Sequence, residues 1–92
     1  MKFQVLYKKT FLKELKKLPK DIRIKAEHLC FDVLLEIENP SDIRGLKKLV
    51  GYEKSYKVRF GDYRIGIEID IESKVIECCR ALHRKEIYRY YP

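Results

Sequence analysis

Lys57, Arg59 and Arg64 lie in the stretch YKVRFGDYRIG, Tyr56 to Gly66, and their spacing puts three cations on one surface. Tyr56, Val58 and Phe60 alternate with Lys57 and Arg59, and Gly61-Asp62 forms a two-residue turn with glycine first. Tyr63 and Ile65 then alternate with Arg64 and Gly66, the pattern of a tight β-hairpin. A two-residue loop sets the register. With Phe60 opposite Tyr63, Arg59 faces Arg64 and Lys57 faces Gly66, with Lys57 and Arg64 on the diagonal, roughly 7–8 Å apart. Like charges directly opposed across a sheet are destabilising. A solvated face with long side chains fanning into water accounts for any one of these residues. An anion accepting from both guanidiniums accounts for all three, and arginine forks suit phosphate oxygens. Gly66, lacking a side chain opposite Lys57, leaves room for a ligand to approach the sheet.

A second group closes the chain in HRKEIY. His83 and Arg84 end an apolar strand, and Tyr88 follows four residues after Arg84, projecting the same way through one turn. His83 reads either as a hydrogen-bonded structural residue or as an acid or base; His28, beside Glu27 within a helix, reads as structural. Tyr88, Tyr90 and Tyr91 suit a hydrophobic seal for the sheet edge, and also a platform on which RNA bases stack. Lys47, Lys48, Lys54, Lys85 and Arg89 are candidate outlying RNA contacts. The sequence holds no HExxH, P-loop or paired-carboxylate pattern, and no nucleophile with a base at useful spacing. Cys30, Cys78 and Cys79 are odd in number, have no CxxC and no ligand spacing to a histidine, and read as buried free thiols. Neither a metal nor a cofactor is implied. An enzyme built from Lys, Arg, His and Tyr suits RNA phosphodiester cleavage: the 2′-hydroxyl attacks phosphorus, cationic forks stabilise the phosphorane, and an acid protonates the leaving 5′-oxygen.

The elements that must position these groups are readable from periodicity. Lys2 to Tyr7 alternates as a first strand. Phe11, Leu12, Leu15 and Leu18 form one helical stripe with Lys9, Lys13, Lys16, Lys17 and Lys20 largely opposite, so a helix spans about Lys8 to Leu18 and stops at Pro19. Asp21 is placed to cap a second helix, with Ile22, Ala26, Leu29, Val33 and Ile37 on its apolar face, continuing to ENPSD at Glu38 to Asp42. The segment from Arg44 to Ser55 is a loop or short strand. Ile65, Ile67, Ile69 and Ile71 line one face of the hairpin's second arm, and Val75 to Leu82, apolar on both faces, is a central strand. The order β-α-α-β-β-β predicts one α+β domain, residues 1–92, with a helical hairpin packed across one face of an antiparallel sheet.

Composition bounds the partners. Of 92 residues 46% are hydrophobic, enough for one core, and the 38% charged fraction carries a net +7, which suits a polyanionic or acidic partner. Residues 44–64 alone hold seven Lys/Arg against two acids. No apolar run reaches signal-peptide or membrane-span length, so a cytoplasmic location and no membrane partner are expected.

The core YKVRFGDYRI, within GLKKLVGYEKSYKVRFGDYRI, resembles the aromatic-basic-x-basic, Gly-Asp-Tyr-Arg hairpin of the RelE/ParE toxin superfamily of toxin–antitoxin systems. ALHRKEIY resembles its closing His/Lys-Arg-x-x-x-Tyr, and the element order agrees over almost the whole chain. The resemblance implies a RelE-like fold and a ribosome-dependent endoribonuclease of the RelE type. Such a toxin cuts mRNA in the ribosomal A site, with rRNA contacts, and is silenced by a cognate acidic antitoxin. By motif position, Lys57 and Arg59 activate the 2′-hydroxyl or hold the phosphate, and Arg64 stabilises the transition state. Arg84 neutralises charge and serves the leaving group, Tyr88 stacks on or orients a base, and His83 stays a candidate acid or base. The chain departs at Gly66 and Ile67, where relatives commonly carry an aliphatic residue and then Tyr. The alternatives are a ParE-like inhibitor of DNA gyrase, or a non-catalytic module that binds antitoxin or nucleic acid. An antitoxin segment is expected along the Lys9 to Lys20 region or an exposed sheet edge.

Overall fold

The computed structural model describes residues 2–92. Strand β1 (Gln4–Tyr7) turns Val5 and Tyr7 toward the main core, and Phe3 just before it is buried there too. Helix α1 (Lys9–Lys16) follows after Lys8 alone, burying Phe11 and Leu15 and leaving its lysines outside. Pro19 occupies the N-cap position of α2 (Lys20–His28) with extended backbone (φ −52°, ψ 146°). Asp21 is therefore not the cap: it falls in the first turn, makes no capping hydrogen bond, and contributes only its charge near the helix N-terminus.

The helix runs on without a break through a π turn (Leu29–Val33) into α3 (Leu34–Glu36). Ala26, Cys30 and Leu34, all buried, are spaced four and four. Two such steps each overshoot a 3.6-residue turn, and the wider turn takes up the excess, keeping all three on the core side. Tyr7 Oη donates to the carbonyl of Cys30 at 2.6 Å, tying β1 to this turn.

The remaining strands are β2 (Leu46–Lys48), β3 (Ser55–Phe60), β4 (Tyr63–Asp70) and β5 (Val75–His83), followed by the short helix α4 (Ile87–Tyr90). The sheet order is β1-β5-β4-β3-β2. β2 to β5 are antiparallel neighbours, whereas β1 runs parallel to β5, so the sheet is mixed and five-stranded. β5 is interior, as its two apolar faces predict. The hairpin register is the expected one: Phe60 faces Tyr63, Arg59 faces Arg64 and Lys57 faces Gly66. Gly61 takes φ +59°, the left-handed conformation that a glycine-first two-residue turn needs. Ile65, Ile67 and Ile69 are buried, but Ile71 lies beyond the end of β4 and is exposed, because the chain turns away after Asp70.

The pairing of β4 with β5 shifts between Gly66 and Ile67: Gly66 faces Arg80, Ile67 faces Cys78, and Cys79 is the extra residue of a bulge. The main core, between helices and sheet, takes Cys78 and Ala81 with Ile65, Ile67 and Ile76. Cys79 goes to the opposite face, where Leu49, Ile87 and Tyr91 form a second small core. The sheet face away from the helical hairpin, the outer face, is thus partly covered by the C-terminal tail. All three cysteines are free and buried, as expected.

Candidate active site

The outer face carries the cations. Arg59 Nε donates to the Gly61 carbonyl at 3.1 Å, and Arg64 Nη1 donates to the same oxygen at 2.9 Å and to the Tyr63 carbonyl at 3.1 Å. The two opposed guanidiniums are therefore drawn around one backbone dipole at the hairpin tip. Arg84 arrives at the same turn from β5. Its N–H donates to the Asp62 carbonyl at 2.7 Å, and its Nε lies 3.6 Å from the Asp62 carboxylate. That ion pair is exposed and contributes little to stability, so Arg84 is held chiefly by its backbone.

Two residues back along β3, Lys57 meets Tyr88 of α4: its ammonium hydrogen-bonds the phenol oxygen and lies 4.5 Å from the ring centroid. Lys47 of β2 stands directly opposite Lys57, adding a fourth cation to the Lys57, Arg59 and Arg64 face. Of the expected catalytic residues, Arg59, Arg64 and Arg84 thus lie at the tip and Lys57 and Tyr88 beside them, and His83 does not join either cluster.

Other expected residues fall elsewhere. His83 pairs with Tyr63 at the end of the sheet, its ring edge-on to Tyr63 (centroids 5.3 Å), with Nδ1 accepting from the Lys85 N–H at 3.1 Å. It lines a cleft with Glu14 of α1 and Lys17 just after it, its own side chain on the helix side of the sheet with Tyr63. Lys54 lies at the far end of the hairpin, where it donates to Asp70 at 3.1 Å; that hydrogen bond raises its pKa. Lys48 borders the Lys57–Tyr88 cluster. Lys85 is exposed in the turn after β5, and Arg89 is exposed on α4. His28 is a surface residue, with Nδ1 3.1 Å from the Asp32 carboxylate.

Gly66 does not admit a ligand. A Cβ built at residue 66 would meet the Tyr91 ring at 2.8 Å, so the tail's own aromatic fills that space. Tyr91 Oη donates to the Ile67 carbonyl at 2.5 Å, and burial pushes its pKa up. This is the hydrophobic-seal role for Tyr91; Tyr88 is left exposed, and Tyr90 lies against the Arg80 guanidinium at 5.4 Å.

Sequence reasoning missed what holds this tail. Arg80 makes a bidentate pair with Glu14 (2.5 and 3.0 Å) and also donates to the Tyr90 carbonyl at 3.3 Å, while Glu14 accepts from the Ala81 N–H at 3.0 Å. The partners are 66 positions apart, with no local signal to connect them. Glu68, Glu77 and Cys79, unremarkable by spacing, also converge with donor atoms within 4.8 Å. Burial raises the Cys79 thiol to about 12, so with no metal bound it stays protonated at neutral pH.

The fold and this face define a class: a small α+β domain whose hairpin presents opposed arginines beneath a folded-back aromatic tail. Residues 5–88 match the family described as ParE toxin of type II toxin–antitoxin system, parDE, and the chain belongs to this family of the RelE/ParE toxin superfamily. It is 39% identical to Toxin RelE3 of Methanocaldococcus jannaschii over 93 residues, 97% of this chain and 99% of that protein. Its structure is similar to the toxin of the RelB–RelE antitoxin–toxin complex from Methanococcus jannaschii, with a TM-score of 0.75 and 38% identity over 95% of this chain and 99% of that one. It is also similar to the archaeal RelE–RelB complex of Pyrococcus horikoshii OT3, with a TM-score of 0.72 and 28% identity over 91% and 97% of the two chains. Among the described residues, no helix is long and apolar enough to cross a membrane.

Proposed function

We propose that this toxin is a ribosome-dependent endoribonuclease that cuts mRNA in the A site and thereby arrests translation in the cytoplasm. The observation that carries the reading is the convergence of Arg59 and Arg64 on the Gly61 carbonyl with Arg84 at the same turn. A backbone oxygen satisfies only part of two guanidiniums, and a phosphate with its full charge and several acceptors satisfies the rest. The likeness to Toxin RelE3 supports the same reading.

In this mechanism the 2′-hydroxyl oxygen bonds to phosphorus, its proton leaves, and the bond from phosphorus to the 5′-oxygen breaks as that oxygen gains a proton. Lys57 and Arg59 hold the scissile phosphate and favour loss of the 2′-hydroxyl proton. Arg64 stabilises the charge of the phosphorane, and Arg84 neutralises charge on the leaving side. Tyr88 orients a base. The side chains gathered here are chiefly cations, with the Tyr88 phenol beside Lys57 and the one nearby carboxylate, Asp62, facing Arg84, and the scheme routes no step through a metal ion. His83, on the helix side, takes no part in this scheme.

The partner is a cognate acidic antitoxin that docks against the basic exposed surface of α1 and its C-terminal end, where Lys9, Lys13, Lys16 and Lys17 lie; in the relatives above, RelE is complexed with RelB. Primer extension on a reporter mRNA in a reconstituted translation system tests the activity. The expected cuts are codon-phased, need ribosomes, and disappear in Arg64→Ala and Arg84→Ala. The matched family's ParE description supports a second reading, inhibition of DNA gyrase. DNA damage signalling without translation arrest on expression would establish that reading. Salt-sensitive RNA binding without product would indicate a non-catalytic module.

A further inference from the structure

Beside the Lys57–Tyr88 cluster lies an open cleft of about 410 Å³, lined by the β2–β3 loop on one side and the C-terminal tail on the other. Tyr52 and Val50 come from the loop, Tyr88 and Tyr91 from the tail, and Lys48 and Lys57 from the strands. Val50 is 97% exposed, Tyr52 51% and Tyr88 62%. Single exposed apolar side chains are ordinary on a protein surface, but here three of them border one concavity that also carries two lysines.

The loop presenting Tyr52 is built rather than slack. Leu49 is buried in the outer-face core, and its N–H donates to the Ser55 carbonyl at 2.9 Å. Gly51 takes φ +85°, and the Tyr52 N–H donates back to the Leu49 carbonyl at 3.3 Å, closing a turn. Tyr52 thus lines the cleft from a defined turn, with Tyr88 also on its lining.

We infer that this cleft is a nucleobase subsite in which Tyr52 stacks on the base of the nucleotide adjoining the phosphate held by the arginines. The inference rests on the phosphate reading above and adds Tyr52 as a base-binding residue. Lys57 and Arg59 are two residues apart on β3, roughly 7 Å. A phosphate at the arginines therefore has its neighbouring nucleoside within reach of the cleft beside Lys57. Aromatic faces accept every base, so the subsite supplies affinity and orientation more than sequence choice. Its cationic rim of Lys48 and Lys57 suits a nucleotide rather than a neutral ligand.

Binding of inorganic phosphate and of adenosine 3′-monophosphate to the whole protein, followed by NMR titration at low salt, tests this. The wild type is expected to bind the nucleotide roughly tenfold or more tighter than phosphate. Tyr52→Ala removes that advantage with phosphate affinity unchanged, and Tyr52→Phe retains it, because stacking needs the ring and not the hydroxyl. Arg64→Ala weakens both ligands. Phosphate binding with no nucleotide advantage, or an advantage that survives Tyr52→Ala, overturns the subsite and leaves the anion site standing. Binding of neither ligand overturns both.

Discussion

Tyr91 lies flat on Gly66, so close that a single added methyl group would stand 2.8 Å from the ring. This contact, with the hydrogen bond from Tyr91 to the Ile67 carbonyl, fastens α4 to the outer face and holds Tyr88 beside Lys57. Gly66→Ala drives Cβ into the buried body of the ring and is expected to destabilise the fold by about 1–3 kcal/mol, an overpacking cost. Urea denaturation measures it. Tyr91→Ala in the same chain relieves the clash, so the double variant is expected to lose less than the sum of the two single losses.

Removing a guanidinium from the opposed pair separates stability from activity. Arg64→Ala eliminates a like-charge opposition and is expected to leave stability unchanged or raised by up to about 1 kcal/mol, while RNA cleavage is lost. The stability gain shrinks as salt is raised, because exposed charges are screened. Denaturation midpoints at low and high salt check this. A large loss of stability would mean that the two hydrogen bonds from Arg64 to the turn carbonyls outweigh the repulsion.

The Glu14–Arg80 pair links α1, β5 and the tail, and it is largely buried. Glu14→Gln keeps the shape but removes the charge, and leaves Arg80 poorly compensated. A loss of about 1–3 kcal/mol is expected, discounted from a fully buried pair because both side chains retain some solvent contact. Equilibrium unfolding measures the loss, and the Tyr88 ring signals in NMR report whether the tail loosens with it.

Alkaline stability is expected to depend on Tyr7. Burial, the largest cause, raises its phenol from 10.0 to about 12 in the folded protein. A raised folded-state pKa means that the stability from this group is fully present below pH 10 and is lost as pH rises through about 12. Tyr7→Phe is expected to cost about 1 kcal/mol at neutral pH through the lost bond to the Cys30 carbonyl. It should also flatten the decline of stability above pH 10. Unfolding at a series of alkaline pH values checks both.

The three cysteines are expected to be inert in the native state. A hydrogen bond with the Cys30 thiol, and then burial, raise the thiol of Cys78, burial raises that of Cys79, and the thiolate is the reactive form. A thiol reagent at neutral pH is expected to modify none of them until denaturant is added, when all three react together. Rapid modification of one under native conditions would show local opening there.

Much of this architecture is legible in the chain itself because its causes are local. A two-residue turn with glycine first leaves one register for the hairpin, so the opposition of Arg59 to Arg64 follows from eleven consecutive residues. The lysine-backed stripe of α1 and the paired apolar faces of β5 follow from periodicity in the same way.

The fate of His83 shows what only the tertiary structure decides. Regular alternation along β5 would send Glu77, Cys79, Ala81 and His83 to the outer face. The bulge at Cys79 inserts one residue, so Ala81 and His83 turn toward the helices and Leu82 takes the outer side. The parallel pairing of β1 with β5, the closing of Tyr91 on Gly66 and the capture of Arg80 by Glu14 are decided the same way. Each joins residues far apart in the chain, and no local pattern records which distant neighbour will fill a given space. The cation-lined face was therefore written in the hairpin, while the choice of which titratable and aromatic groups stand beside it was made by one extra residue in a strand and by where the tail came to rest.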